Sequence, residues 1–398
     1  MLLLSALIAL SAPVSAWENH QILMERMLDS KASKQRIYPY QKIKFPCVEE
    51  EKKEIEFLGK ELKIDASKIP VFSEKRCEPG QKTGEVIMSE LIASAFVDEP
   101  DMGMDQNLPN SADPREARKW MGGSTGPTSQ GFRHMIFPGI QVRSPVQSFQ
   151  IPFGSVGDVL ERIQKLHEVS KGYFESGNKF WGLRTLLWEI HYVQDLHQPF
   201  HVAQIPSMKM LPWKKLFSGF INASTHAMAN YHYAYESLTQ GMIKEAVSNG
   251  FQKCFEPEIL DDPTAPMDIL DIPRAAAPKV GAAVYAALGD YMKSNEVNLP
   301  AGVGQIDTFT LLHATEPVIP LESDQKEISS DEMKSIQNQF KQYKAISELK
   351  TFSCELMSSL SRSTWEELDH AFIKAQSPAS NKSGKWSDAL PEIRRVRR

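Results

Sequence analysis

Residues 191–201, HYVQDLHQPFH, bring together side chains that bind metal ions. They end an apolar run with helical spacing, so His191 and Asp195, four residues apart, are expected to project from one helix face. Pro199 is expected to end this helix. His201 then follows the turn and can point back toward the first two side chains. The segment predicts one half of a metal-binding cage.

A second pair, His232 and Glu236, repeats the four-residue spacing in NYHYAYE. Such a pair also occurs on solvated helices, but beside the first motif it favours a ligand pair. Neutral imidazole and carboxylate ligands together suit zinc. Four further histidines, His167, His226, His313 and His370, are interpreted as core or surface residues.

Residues 1–16, MLLLSALIALSAPVSA, form an apolar run of the length typical of a signal peptide. The chain is therefore expected to be secreted or periplasmic, with Trp17 as the first mature residue and no membrane-spanning segment left after cleavage. Its 41% hydrophobic and 24% charged residues are typical of a globular protein. A net charge of -5 argues against strong polyanion binding by bulk electrostatics.

Helical spacing dominates the rest of the chain, and no run of alternating strands is evident, so the predicted fold class is all-α. Predicted helices include residues 84–97, 179–198 and 222–248, and residues 331–374 are expected to carry at least one more, with polar breaks around 361–363. We divide the chain into a signal peptide (1–16), a main domain (17–298) and a helical extension with a basic, mobile tail (299–398). The four cysteines, Cys47, Cys77, Cys254 and Cys354, allow three disulfide pairings or none.

These motifs resemble those of the zinc-dependent phospholipases C and of the single-strand-specific nucleases that share their fold. HYVQDLHQPFH and NYHYAYE are similar to the two helix motifs of that family, and Trp17 is similar to its amino-terminal residue. IASAFVDEPD around Asp98 and FRHMIFP around His134 resemble its early Asp and His ligands. Asp101 and Asp105 lie close enough to Asp98 to compete for the same role.

The resemblance implies a multi-helix bundle with three zinc ions in a cleft. It assigns one ion to Asp98, His134, His191 and Asp195, and a second to His201, His232 and Glu236. It assigns the third to Trp17, His20 and a shared Asp195. Asp98 and Asp195 are the expected catalytic carboxylates.

The activity that this implies is hydrolysis of a phosphodiester by a zinc-activated water. A phospholipid headgroup is the favoured substrate, and single-stranded nucleic acid, held by stacking as much as by charge, is the alternative. Trp120, Trp181 and Trp213 are candidates for lining either substrate site, although packing is the simpler role for tryptophan. A different class of function also fits, a non-catalytic binding module that zinc stabilises. The extension could instead dock a partner or a membrane through an amphipathic helix, although its apolar spacing between Met333 and Leu360 is more simply explained by core packing. Its basic end, IRRVRR, could make a peripheral contact with acidic phospholipids or nucleic acid, although a disordered end without a role is the simpler interpretation.

Overall fold

The computed structural model describes residues 20–74, 76, 84–104, 133–137, 140–143, 148–151, 157, 159–203, 205–218, 220–248, 250–257, 269–293 and 343–372. The predicted signal peptide, Trp17, Cys77, Asp105, Trp120 and the predicted basic tail lie outside these residues. The described chain is mostly helical with a few short strands, which confirms the all-α class in its coarse form.

Ten α-helices lie within the described residues. They are α1 (His20–Leu28), α2 (Lys31–Lys34), α3 (Val48–Glu61), α4 (Met88–Ile92), α5 (Val159–Glu175), α6 (Lys179–Asp195), α7 (Pro199–Val202), α8 (Phe220–Lys244), α9 (Asp271–Leu288) and α10 (Tyr343–Phe372). Short 3₁₀ turns join several of them, and one of these turns is Ala95–Asp98.

The strands form two small antiparallel pairs. β1 (Lys42–Lys44) pairs with β2 (Glu85–Ile87), and β3 (Ile140–Arg143) pairs with β4 (Ser148–Ile151). The first pair corrects the prediction of one helix over 84–97. Residues 85–87 instead add to β1, and α4 begins only at Met88.

Helix α6 forms the centre of the molecule. Every residue from Phe180 to Asp195 is buried, and α5 packs along it. A helix that is buried on all sides needs partners for its polar side chains as well as its apolar ones. For α6 these partners come from α1, α3, α5, the 95–104 segment and α10, so the helix that carries His191 is held on several sides.

Helix α10 belongs to the same packed core as α6 and α9. The Cys254–Cys354 disulfide joins it to the Phe251–Phe255 turn, and Cys47 is also disulfide-bonded. The predicted polar break at 361–363 is absent, because the Ser361 hydroxyl donates to the Phe255 carbonyl and the helix continues to Phe372. The described part of the predicted extension is thus core structure.

Within the described residues, no helix is both long enough and apolar enough to span a bilayer.

Candidate metal centre

Three groups of histidine and acidic side chains meet in the interior beside α6. In each group the candidate ligand atoms lie within 4.8 Å of one another. The groups are His20, Asp101 and His191; His134, His191 and Asp195; and His201, His232 and Glu236. Two groups share His191, so they form one continuous cluster.

Asp195 is the centre of this cluster. Its Oδ2 atom lies 2.7 Å from Nδ1 of His134 and 3.4 Å from Nε2 of His191. Its Oδ1 atom lies 3.6 Å from Nε2 of His20 and 3.5 Å from Nδ1 of His201. The two carboxylate oxygens therefore face different pairs of imidazoles, which is the geometry that a bridging ligand requires.

His20 and His191 are each oriented by a hydrogen bond from their other ring nitrogen. Nδ1 of His191 donates to the Val97 carbonyl at 2.8 Å, and Nδ1 of His20 donates to Oε1 of Gln194 at 2.9 Å. This arrangement fixes the tautomer and leaves the Nε2 lone pair directed into the cluster, as in most metal-ligating histidines. Nε2 of His191 also lies 3.1 Å from Nδ1 of His134. Nε2 of His20 is buried and makes no hydrogen bond.

The third group is built from α7 and α8. His232 and Glu236 are one turn apart on α8, and Nε2 of His232 lies 2.7 Å from Oε1 of Glu236. Gln198 donates to the same oxygen at 3.0 Å, while Nε2 of His201 lies 3.9 Å from it. Both ring nitrogens of His201 are buried without a hydrogen-bond partner.

Pro199 acts differently from the prediction. Helix α6 ends at Asp195, and Pro199 is the first residue of the short helix α7, capped by the Gln198 side chain. Proline suits that first position because its missing N–H is not needed there. The reversal between α6 and α7 still brings His201 back to Asp195, as the sequence pattern indicated.

Asp101, rather than Asp98, joins the cluster. Its Oδ1 atom lies 3.7 Å from both His134 and His191, and its Oδ2 atom lies 3.9 Å from His20. Oδ1 of Asp98 instead accepts the backbone N–H of Gln21 at 3.2 Å. Among the described residues, Asp101 therefore belongs to a candidate ligand group and Asp98 does not, and Asp98 instead anchors the start of α1. Asp101 is three positions after Asp98, and the backbone between them passes from a 3₁₀ turn into a π turn.

A buried ion network holds the Asp101 segment against α6. Arg184 donates to both oxygens of Glu99, at 2.9 and 2.5 Å, and to Glu51 at 2.5 Å. Trp188 donates to Glu99 at 2.6 Å. Since Glu99 lies two positions before Asp101, this network fixes the distance between Asp101 and His191 of α6.

Helix α10 also reaches the cluster. The Gln194 amide that orients His20 lies 3.5 Å from the Thr364 hydroxyl. His197 donates to the Val193 carbonyl at 2.9 Å, and its other nitrogen lies 3.2 Å from the Ser359 hydroxyl. His197 therefore joins two helices and is not part of any candidate ligand group among the described residues.

The electrostatics favour neutral imidazoles beside carboxylates. Burial lowers the pKa of His20 to about 3 and, with the neighbouring His232, lowers the pKa of His201 well below its usual value. Burial raises the pKa of Asp101, and the Asp195 charge adds to this. Neutral histidines have a lone pair available to bind a cation. Buried carboxylates of like charge repel one another and require a cation to balance their charge. The residues thus fit metal ions with nitrogen and oxygen ligands.

The structure brings together His20, His134, His191, Asp195, His201, His232 and Glu236 of the predicted set. Trp17 lies outside the described residues. The chain matches no family model, no curated protein and no solved structure in the comparisons.

Proposed function

We propose that this chain is an exported zinc-dependent hydrolase of phosphodiester bonds, with three zinc ions held in a multi-helix bundle. The observation that carries the proposal is the convergence of buried imidazoles on the two oxygens of Asp195. An interior site of this composition is unstable without cations, because burial opposes each of its charges. Removal of residues 1–16 would make the Trp17 amine available as a further ligand.

Bound zinc would supply positive charge for an anionic phosphodiester and a water of lowered pKa. The protein residues set the geometry for that chemistry. Asp195 holds two sides of the cluster at fixed separation, while Gln194 and the Val97 carbonyl keep His20 and His191 in the ligating tautomer. Asp101 supplies a further carboxylate between three imidazoles. No side chain is required as a covalent nucleophile.

An exposed apolar segment favours a phospholipid substrate. Trp213, Leu216 and Phe217 are 48%, 39% and 99% exposed, and two lysines, Lys214 and Lys215, lie between them. Exposed aromatic and aliphatic side chains interleaved with lysine are typical of surfaces that enter the headgroup region of an anionic bilayer.

This 213–217 segment lies between the helices that carry His201 and His232. The chain therefore connects the proposed lipid contact directly to two ligands of the third group. Trp181, by contrast, is buried against Phe180 and Tyr173 and belongs to the core, not to a substrate site. We propose a phospholipase C activity for these reasons, with single-stranded nucleic acid as the alternative substrate.

The test is hydrolysis by the purified chain, supplied with zinc, of phosphatidylcholine vesicles and of single-stranded DNA in parallel. We expect release of phosphocholine that a zinc chelator abolishes and that Asp195→Asn removes. Asp29→Asn is the matched control, since Asp29 is exposed and distant from the candidate ligand groups.

Chelator-sensitive cleavage of DNA alone would assign the alternative substrate. Zinc binding with no hydrolysis of either substrate would overturn the proposal in favour of a zinc-stabilised binding module.

A further inference from the structure

A fourth group of ligand-type side chains lies outside the cluster around Asp195. It consists of His167 on α5, Glu189 on α6 and Glu367 on α10, with ligand atoms within 4.8 Å of one another. Nδ1 of His167 lies 3.0 Å from Oε1 of Glu189 and 3.8 Å from Oε2 of Glu367. Three helices distant in sequence therefore each contribute one candidate ligand.

The two carboxylates are buried and incompletely satisfied. The Glu189 side chain is 1% exposed and that of Glu367 is 5% exposed. The Oε2 atom of each makes no hydrogen bond, and that of Glu367 is directed toward His167. Leaving carboxylate oxygens unsatisfied in the interior is costly, and a cation placed between them removes that cost.

The other buried pair of glutamates in this molecule shows how such charges are normally compensated. Glu51 and Glu99 share the guanidinium of Arg184, which donates hydrogen bonds to both. Glu189 and Glu367 face a single imidazole instead. Burial, followed by the charge of Glu189, raises the pKa of Glu367, and the neighbouring His167 opposes this shift.

A second histidine lies beside the group. His370 is three residues after Glu367 on α10, so both project from neighbouring positions on one helix face. Its ring centroid is 5.5 Å from that of His167. A Glu-x-x-His pair on one helix facing a Glu on another is an arrangement by which helical bundles bind divalent metals.

The group lies on a different side of α6 from the cluster around Asp195. Glu189 precedes His191 by two positions, which on a helix corresponds to roughly 200° of rotation. Helix α6 therefore carries ligand-type side chains on opposite sides, and one of those sides faces α10.

We propose that His167, Glu189 and Glu367 bind a divalent cation such as zinc, next to the ring of His370. This site is structural: it joins α10 to α5 and α6 and does not take part in hydrolysis. It does not depend on the proposed function, because none of its residues belongs to the cluster around Asp195.

The test measures the zinc content of the full-length wild type and of three variants, each after zinc reconstitution and desalting. The variants are Glu367→Gln and His167→Gln, and Glu366→Gln is the control because Glu366 is exposed on the adjacent position of α10. His167 is partly exposed, so His167→Gln tests the site even if the Glu367 variant folds poorly.

We expect both site variants to bind about one zinc ion fewer per chain than the wild type and the control. We also expect added zinc to raise their thermal midpoint less than that of the wild type. Hydrolysis by the folded His167 variant, where the wild type is active, is expected to stay within about threefold of wild type. Asp195→Asn, which damages the other cluster, is expected to keep the zinc ion bound by His167. Equal zinc content and equal zinc-dependent stabilisation in the wild type and both site variants would overturn the proposal.

Discussion

Replacing Asp101 by Asn is the most direct way to decide whether Asp101 or Asp98 is the metal ligand. The Asp101 carboxylate lies 3.7 to 3.9 Å from the nitrogens of His20, His134 and His191, so an ion among them would lose one of about four ligands. Substituting residues that only hydrogen-bond to the ligands already lowers metal affinity by about 10- to 100-fold. We therefore expect Asp101→Asn to weaken zinc binding by at least about 100-fold, or roughly 2.7 kcal/mol.

The matched control is Asp98→Asn. An asparagine oxygen can still accept the Gln21 N–H, so this change costs at most about 1 kcal/mol of stability and leaves zinc affinity near that of the wild type. Competition with a chromophoric zinc chelator measures both affinities directly. A large loss of affinity in the Asp98 variant with wild-type affinity in the Asp101 variant would refute the assignment of the ligand to Asp101.

Three further perturbations test other parts of the structure. Arg184→Met leaves Glu51 and Glu99 buried without their cation and is expected to lower the free energy of unfolding by about 3–5 kcal/mol, measured by urea denaturation. An unchanged denaturation midpoint would contradict the claim that these ion pairs stabilise the fold. Cys354→Ser opens a disulfide that spans a sequence separation of 100 and is expected to cost about 4–5 kcal/mol, measured in the same way; equal stability would show that α10 is held without it. Phe217→Ser removes the most exposed apolar side chain of the 213–217 segment. It is expected to weaken sedimentation with vesicles of phosphatidylcholine mixed with phosphatidylserine about tenfold, with turnover of a soluble short-chain substrate unchanged, and equal vesicle binding would remove the argument for a lipid surface.

The parts of the site that depend on local spacing are evident in the sequence. His191 with Asp195, and His232 with Glu236, are four residues apart on helices, so a single helix brings each pair together whatever the rest of the fold does. Tertiary packing is needed to bury these two pairs together with His201. The turn at Gln198 and Pro199 nevertheless restricts the positions that His201 can occupy.

The choice between Asp98 and Asp101 could not be made from spacing. The segment that carries them is neither a regular helix nor a strand, so no fixed period relates the two side chains to a common face. Their positions depend instead on Glu99, which is held by Arg184 about 85 residues later in the chain. Long-range ion networks of this kind leave no periodic pattern in a sequence.

The spacing of apolar residues between Met333 and Leu360 favours core packing of the extension, but the sequence does not show which residues α10 contacts. Its polar residues suggested a break around 361–363, but Ser361 has a buried carbonyl partner in a distant turn. From the sequence, His167 and His370 are interpreted as core or surface residues, because the helices that carry them are distant in sequence and only the fold brings their rings together. Only the packed fold shows that α10 contacts α6 close to the proposed metal centre.

The most direct test of the central claim is an anomalous difference map at the zinc absorption edge from crystals of the zinc-loaded chain. The proposal predicts strong peaks between the imidazole nitrogens and the oxygens of Asp195, Asp101 and Glu236. A map without peaks in this region, with His201 and its neighbours hydrogen-bonded to one another, would contradict the assignment of a metal centre.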